Sequence, residues 1–197
     1  MVLIILWAVL LAWAAPKVMD SQKSKEAVAF INSHKITLLD VFGNNLPPAP
    51  DQKVNDSTVA GIDANKNFIR DDVELAIFTK YPNSAKIRAA ELQYAQALQL
   101  ELTQVFDSGT LVATLQKGSR GSTCVSQTGP EINPNDTREK IVADLAIGQN
   151  RVEEVEILVL NTELRKKTES ENLKKYMTSY SSPGGDQCDI ISSSLQN

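Results

Sequence analysis

Residues 84–105 read SAKIRAAELQYAQALQLELTQV, and this stretch sets the fold class. Its apolar positions Ile87, Ala90, Tyr94, Leu98, Leu102 and Val105 step by three and four, the spacing of one face of an α-helix. Ser84 or Asn83 stands ahead of it as an N-cap, and Pro82 separates it from an earlier helix. Toward the C-terminus, Asp107-Ser108-Gly109 reads as a break and 110–117 as another turn or two of helix. Residues 118–135 are rich in Gly, Ser, Thr and Pro and read as a flexible loop. A second stripe, Ile141, Leu145, Gly148, Val152, Val155 and Val159, steps by 4, 3, 4, 3 and 4, in a helix starting at Asp136 or Thr137. Thr162 caps a last helix through about Tyr180, whose Glu163–Lys167 and Glu171–Lys175 pairs read as a solvated face. Pro183-Gly184-Gly185 stops it.

Toward the N-terminus, residues 20–34 read as a helix capped by Ser24, with Val28, Phe30 and Ile31 facing inward. Residues 35–42, KITLLDVF, fit either a strand or a continuing helix. Gly43, Pro47, Pro48 and Pro50 make 43–60 a connection that no regular element crosses. A helix follows to about Lys80, with Ile69, Val73 and Ile77 a turn apart. The expected fold is mainly α, three to four antiparallel helices in a bundle with a calcium-type loop before the second helix. The expected organisation is a signal peptide or membrane anchor (1–14), an N-terminal helix and Pro-rich connection (15–60), a helical core domain (61–180) and a flexible tail tied by a disulfide (181–197).

The loop lies just ahead of the helix ending at Lys80. Counting Asp63 as position 1, oxygen-bearing side chains fall at positions 1 (Asp63), 3 (Asn65), 5 (Asn67), 9 (Asp71) and 12 (Glu74). With the Ile69 carbonyl at position 7, that is the ligand spacing of an EF-hand-type loop, and Ca²⁺ is its expected cofactor. Ca²⁺ takes six to eight hard oxygens, so a short loop must turn alternate side chains inward. Position 6, where such loops use Gly for a sharp turn, is Phe68. The alternative is an Asn-rich turn whose Asp71, Asp72 and Glu74 favour the following helix through its dipole.

The string Asp63-x-Asn65-x-Asn67-x-x-Arg70-Asp71-Asp72-Val73-Glu74 resembles a group of uncharacterised secreted bacterial helical proteins that carry D-x-N-x-N-G-x-R-D-D-V. Gln93-Tyr94-Ala95-Gln96-Ala97-Leu98-Gln99 and Asn161-Thr162-Glu163-Leu164-Arg165 add to the likeness, which spans roughly residues 60–180. The resemblance implies an exported helical domain and supplies no activity.

Residues 1–15, MVLIILWAVLLAWAA, carry no charged side chain and are short for a bilayer span. Their length and the Ala12-Trp13-Ala14 pattern predict a secretory signal peptide cut after Ala14, although no Lys or Arg precedes the run. The alternatives are an uncleaved anchor and a buried helix. In an oxidising compartment, periplasmic or extracellular, Cys124 and Cys188 have one pairing open to them.

The 197 residues carry 20 Lys+Arg against 24 Asp+Glu, a net charge of −4, and lack the basic footprint of a nucleic-acid binder. The single histidine, His34, reads as a surface or capping residue, and the nucleophile, zinc and nucleotide motifs of common enzymes are absent. Glu153, Glu154 and Glu156 read as solvated charges. The residues predict an exported, non-enzymatic helical binding module, of the inhibitor or immunity type, with an unknown protein partner in the cell envelope. Membrane contact is expected only through residues 1–15, if uncleaved. The alternatives are a hydrolase with an unrecognised site and a membrane-anchored envelope structural protein.

Overall fold

Polar side chains start most of the helices in this chain. In the computed structural model, which describes residues 19–191 and Leu195, the described part of α1 covers residues 19–33. It is followed by α2 (Leu38–Phe42), α3 (Gln52–Asn55), α4 (Asp71–Lys80), α5 (Ala85–Gln104), α6 (Ser108–Ser126), α7 (Arg138–Val159) and α8 (Glu163–Tyr176). Thr37, Asp51, Ser84, Asp107, Thr137 and Thr162 each accept the backbone N–H three residues on, filling a donor that the first turn leaves orphaned. No strand occurs among the described residues, so the mainly helical fold class stands. None of the described helices is long and apolar enough to cross a membrane. The leader at 1–14 lies outside the described residues.

Helix α5 is the centre. It meets α2, α4, α6, α7 and α8, most extensively α6. Its expected stripe is largely buried at Ala90, Tyr94, Leu98 and Leu102, but so is nearly everything else from Arg88 to Leu102, on all sides of the helix. The small side chains of Ala89, Ala90, Ala95 and Ala97 let neighbouring helices approach, and Leu92 and Leu100 fill the remaining volume.

The sequence reading needs correction in several places. Of residues 35–42, open between strand and helix in the sequence, Leu38–Phe42 form the short helix α2, separate from α1, capped by Thr37 and ended by Gly43 at φ 71°. The connection 43–60 is crossed by one turn of helix, α3, which starts after the last proline and is capped by Asp51. Ser24 lies inside α1 and does not cap it. The segment 118–126 is not loop but the second half of α6, so Cys124 sits in that helix's last turn. In the stripe of α7, Gly148, Val152, Val155 and Val159 are buried, whereas Leu145 is 58% exposed because the first turns of α7 run beyond the core. The last helix stops at Tyr176, four residues short of the expected end.

Glycine explains the misread half of α6. A Cβ on Gly121 would lie 2.8 Å from the Tyr94 Cα, so the two main helices touch backbone to side at that point. Gly148 plays the same part on α7, where a Cβ would meet the Ser126 carbonyl oxygen at 2.7 Å. Composition that weakens an isolated helix is here what allows close contact.

Cys124 and Cys188 lie at disulfide distance, with Cα atoms 5.1 Å apart across 64 residues of chain. In the chain-entropy account a loop of that size is worth about 4 kcal/mol. The tail around Cys188 is also held by hydrogen bonds. Gln93 Nε2 donates to the Gln187 carbonyl at 2.7 Å, and Gln93 Oε1 accepts the Asp189 N–H at 2.7 Å.

Two glycines of α6 separate the effects of propensity and space. A Cβ on Gly118 meets no atom within 4 Å, so Gly118→Ala is expected to stabilise the chain by about 1 kcal/mol in urea denaturation. Gly121→Ala, three residues on, is expected to destabilise it by about 1–3 kcal/mol through overpacking.

Candidate functional site

The segment from Asp63 to Glu74 folds around its own backbone N–H groups. Asp63 accepts from the Asn67 N–H at 3.2 Å through one oxygen and from the Phe68 N–H at 3.0 Å through the other. Asn65 Oδ1 accepts from the Asn67 N–H at 3.4 Å, and Asn67 Oδ1 from the Ile69 N–H at 2.9 Å. Each side chain thus closes a small turn two to five residues ahead. Asp71 Oδ1 accepts the Ala64 N–H at 2.9 Å, and the Asp71 N–H reaches back to the Ile62 carbonyl at 2.9 Å, closing the loop at the start of α4.

Lys66 and Phe68 have φ of 59° and 62°, the left-handed region that a bulky residue rarely enters. Phe68 therefore makes the turn that Gly would make, and its ring offsets the strain. It meets Phe30 edge to face at 5.2 Å and His34 at 4.6 Å, joining the loop to α1. His34 Nδ1 lies 2.7 Å from the Phe30 carbonyl oxygen, consistent with a histidine at a helix end.

Two carboxylate oxygens inside the loop have no hydrogen-bond partner, Asp71 Oδ2 and Glu74 Oε1. Both residues are 1% exposed. Burial pushes the Glu74 carboxyl up to about 7, and it raises Asp63 and Asp71 above their ordinary range. The donor chemistry is all oxygen, three carboxyls, two amides and the Ile69 carbonyl, which suits Ca²⁺. In the present arrangement Asn65 Nδ2 donates to Glu74 Oε2 at 3.0 Å. Among the described residues no three His, Cys, Asp or Glu side chains converge closely enough to hold a metal ion, so the loop as folded is closed on itself.

The loop is fixed to the rest of the molecule by groups that the periodicity analysis passed over. Gln96 Nε2 donates to the Asn67 carbonyl at 2.8 Å, and Gln99 Nε2 to the Ala60 carbonyl at 2.7 Å. Arg70, at position 8, is fully buried and points away from the loop interior. Its guanidinium donates to the carbonyls of Leu158 and Val159 at 2.8 and 3.0 Å and pairs with Asp72, which favours a cation at the C-terminal end of α7. Arg165, also fully buried, donates to the carbonyls of Asn55, Thr58 and Val59 and to Asp56. An arginine inside a helical sequence carries no periodicity signal, but its place in the Asn161–Arg165 string marked it.

Glu156 is not a solvated charge. It is half-buried and accepts the Tyr94 hydroxyl at 2.6 Å. Two further carboxyls are buried on α5. Burial pushes Glu91 up to about 7, and burial with the neighbouring Glu169 does the same to Glu101. Comparison with family models, curated proteins and solved structures finds no match for this chain.

The strain at Phe68 can be measured against its packing. Phe68→Ala loses the ring and keeps the left-handed backbone, so it is expected to be less stable than Phe68→Gly by about 1 kcal/mol in urea denaturation.

The buried glutamates set a pH dependence. The folded chain holds protons on Glu91 and Glu101 that the unfolded chain, near its ordinary 4.5, releases. Their contribution is full below about pH 4.5 and is lost as pH rises through about 7. In chelator, stability is expected to fall from pH 5 to pH 8, by on the order of 2 kcal/mol per carboxyl. Denaturation of Glu91→Gln/Glu101→Gln over the same range should give a flatter profile.

Proposed function

We propose that this chain is an exported, non-enzymatic helical binding module whose loop 63–74 takes up a structural Ca²⁺ ion. In this reading three to four antiparallel helices form a bundle, residues 1–14 are its export leader, and its partner is a protein of the cell envelope. An inhibitor or immunity-type role is the most specific form of the proposal. One observation carries the ion. Asp71 Oδ2 and Glu74 Oε1 are buried without partners, inside a loop whose sixth position, Phe68, has a left-handed backbone at φ 62°. Unpaired buried carboxylate oxygens are costly, and a divalent cation meets that cost with charge and coordination.

Asp63, Asn65, Asn67, Ile69, Asp71 and Glu74 are the residues that would hold the ion. The bound ion would supply positive charge to three carboxyls that form no ion pair with a basic side chain among the described residues, while Asn65 would exchange its contact with Glu74 for a place in the ligand set. The effect is structural, because the loop joins α1 through Phe68 and α5 through Gln96. The cysteine pair at disulfide distance supports an oxidising location.

A ligand that binds only the folded chain raises its stability, by about 2.7 kcal/mol at a hundredfold excess over Kd. Millimolar Ca²⁺ is therefore expected to raise the melting temperature over chelator by roughly 5–10 °C. Asp63→Ala should abolish the rise. A melt indifferent to Ca²⁺ in both proteins removes the ion from the proposal.

A further inference from the structure

On the far side of α5 from the loop, four helices enclose a groove of about 360 Å³, within the range of small-ligand sites. Three of them bring one glutamate each, Glu101 from α5, Glu156 from α7 and Glu169 from α8. Glu101 is 5% exposed, and its Oε1 has no hydrogen-bond partner. One oxygen of Glu156 accepts the Tyr94 hydroxyl. No Lys or Arg is among the lining residues. Burial, then the like charge of Glu169 on Glu101 and of Glu156 on Glu169, holds the Glu101 and Glu169 carboxyls above their ordinary range. The rest of the wall combines the side chains of Leu98, Leu115 and Leu173 with Ser119, Ser122 and Tyr180.

We infer that this groove binds an aliphatic primary ammonium group. Three acids with no counter-charge, one of them buried and unpartnered, call for a cation. A bare metal ion suits them poorly: the three acids do not converge to metal-binding distance, and the lining adds no amide oxygens to complete a cage as Asn65 and Asn67 would in the loop. A planar guanidinium gains most from a carboxylate that offers both oxygens, and Glu156 has one engaged by Tyr94. An ammonium is a compact charge with three donors that turn freely to separate acceptors. Its methylene stem is apolar, and the leucine wall covers it. The same chemistry comes from a free diamine or from a lysine side chain of a partner protein. The inference stands apart from the loop and does not depend on Ca²⁺.

The test is titration calorimetry on the full chain at pH 8 and low salt, with 1,5-diaminopentane as one probe and an end-capped Gly-Lys-Gly peptide as the other. Binding of at least one probe is expected, weakened tenfold or more by Glu101→Gln. Gly118 borders the groove and a Cβ there meets nothing within 4 Å, so Gly118→Leu brings a bulky side chain to the groove from a position with room at its base. It should weaken binding at least as much, and it keeps the test open if Glu101→Gln fails to fold. Tighter binding of the peptide assigns the ammonium to a partner's lysine, and tighter binding of the diamine assigns it to a free amine. No heat with either probe, or binding undiminished in a folded variant, overturns the inference.

Discussion

A helix buried on every side must find partners for its own polar side chains inside the protein. That constraint on α5 organises the rest of the molecule. Arg88, Gln93, Gln96 and Gln99 are all buried, and each donates to backbone carbonyls in irregular segments or in the last turn of a helix. Arg88 takes the carbonyls of Val41, Tyr81 and Pro82, at the end of α2 and in the turn before α5. The glutamines take Ala60, Asn67 and Gln187. Irregular backbone has carbonyls to spare, and a buried donor left alone costs about 1–3 kcal/mol, so the N–H groups of the helix side chains and the loop carbonyls satisfy one another, whereas the Oε1 atoms of Gln96 and Gln99 have no partner.

The arrangement also gives α5 two chemically different sides. Residues two apart on a helix point in nearly opposite directions. Tyr94, Leu98 and Glu101 border the acidic groove, whereas Gln96 and Gln99 hold the 60–67 segment. A single run of eight residues, Tyr94 to Glu101, thereby separates a hard-oxygen loop from a half-apolar acidic cleft. Arg70 and Arg165 brace the loop from outside, the first against the end of α7 and the second against residues 55–59.

Much of this architecture was legible in the sequence, and the failures have physical causes. The helix starts were readable because an N-cap is a local bond, as Ser84, Thr137 and Thr162 show. The stripe of α5 was readable as well, but nothing in the spacing of its glutamines told of their burial. Periodicity reports where apolar groups lie and is silent about polar groups whose partners are distant in sequence. Gly118 and Gly121 made α6 look like loop, because propensity ignores the gain from close helix contact. The loop's oxygen spacing was evident, whereas the tolerance of Phe68 was not, since it depends on rings 34 and 38 residues earlier. Glu156 looked solvated because its partner, Tyr94, is 62 residues away.

The link between Cys124 and Cys188 has a topological meaning apart from any contribution to folding. It spans the irregular stretch between α6 and α7, all of α7 and α8, and the turn joining them. A protease that cut the backbone once anywhere in that span would leave both pieces of the chain joined through sulfur. The half bearing α7 and α8 would stay tethered beside α5 and would part from it only under reducing conditions. A single nick within that span is thus a survivable injury.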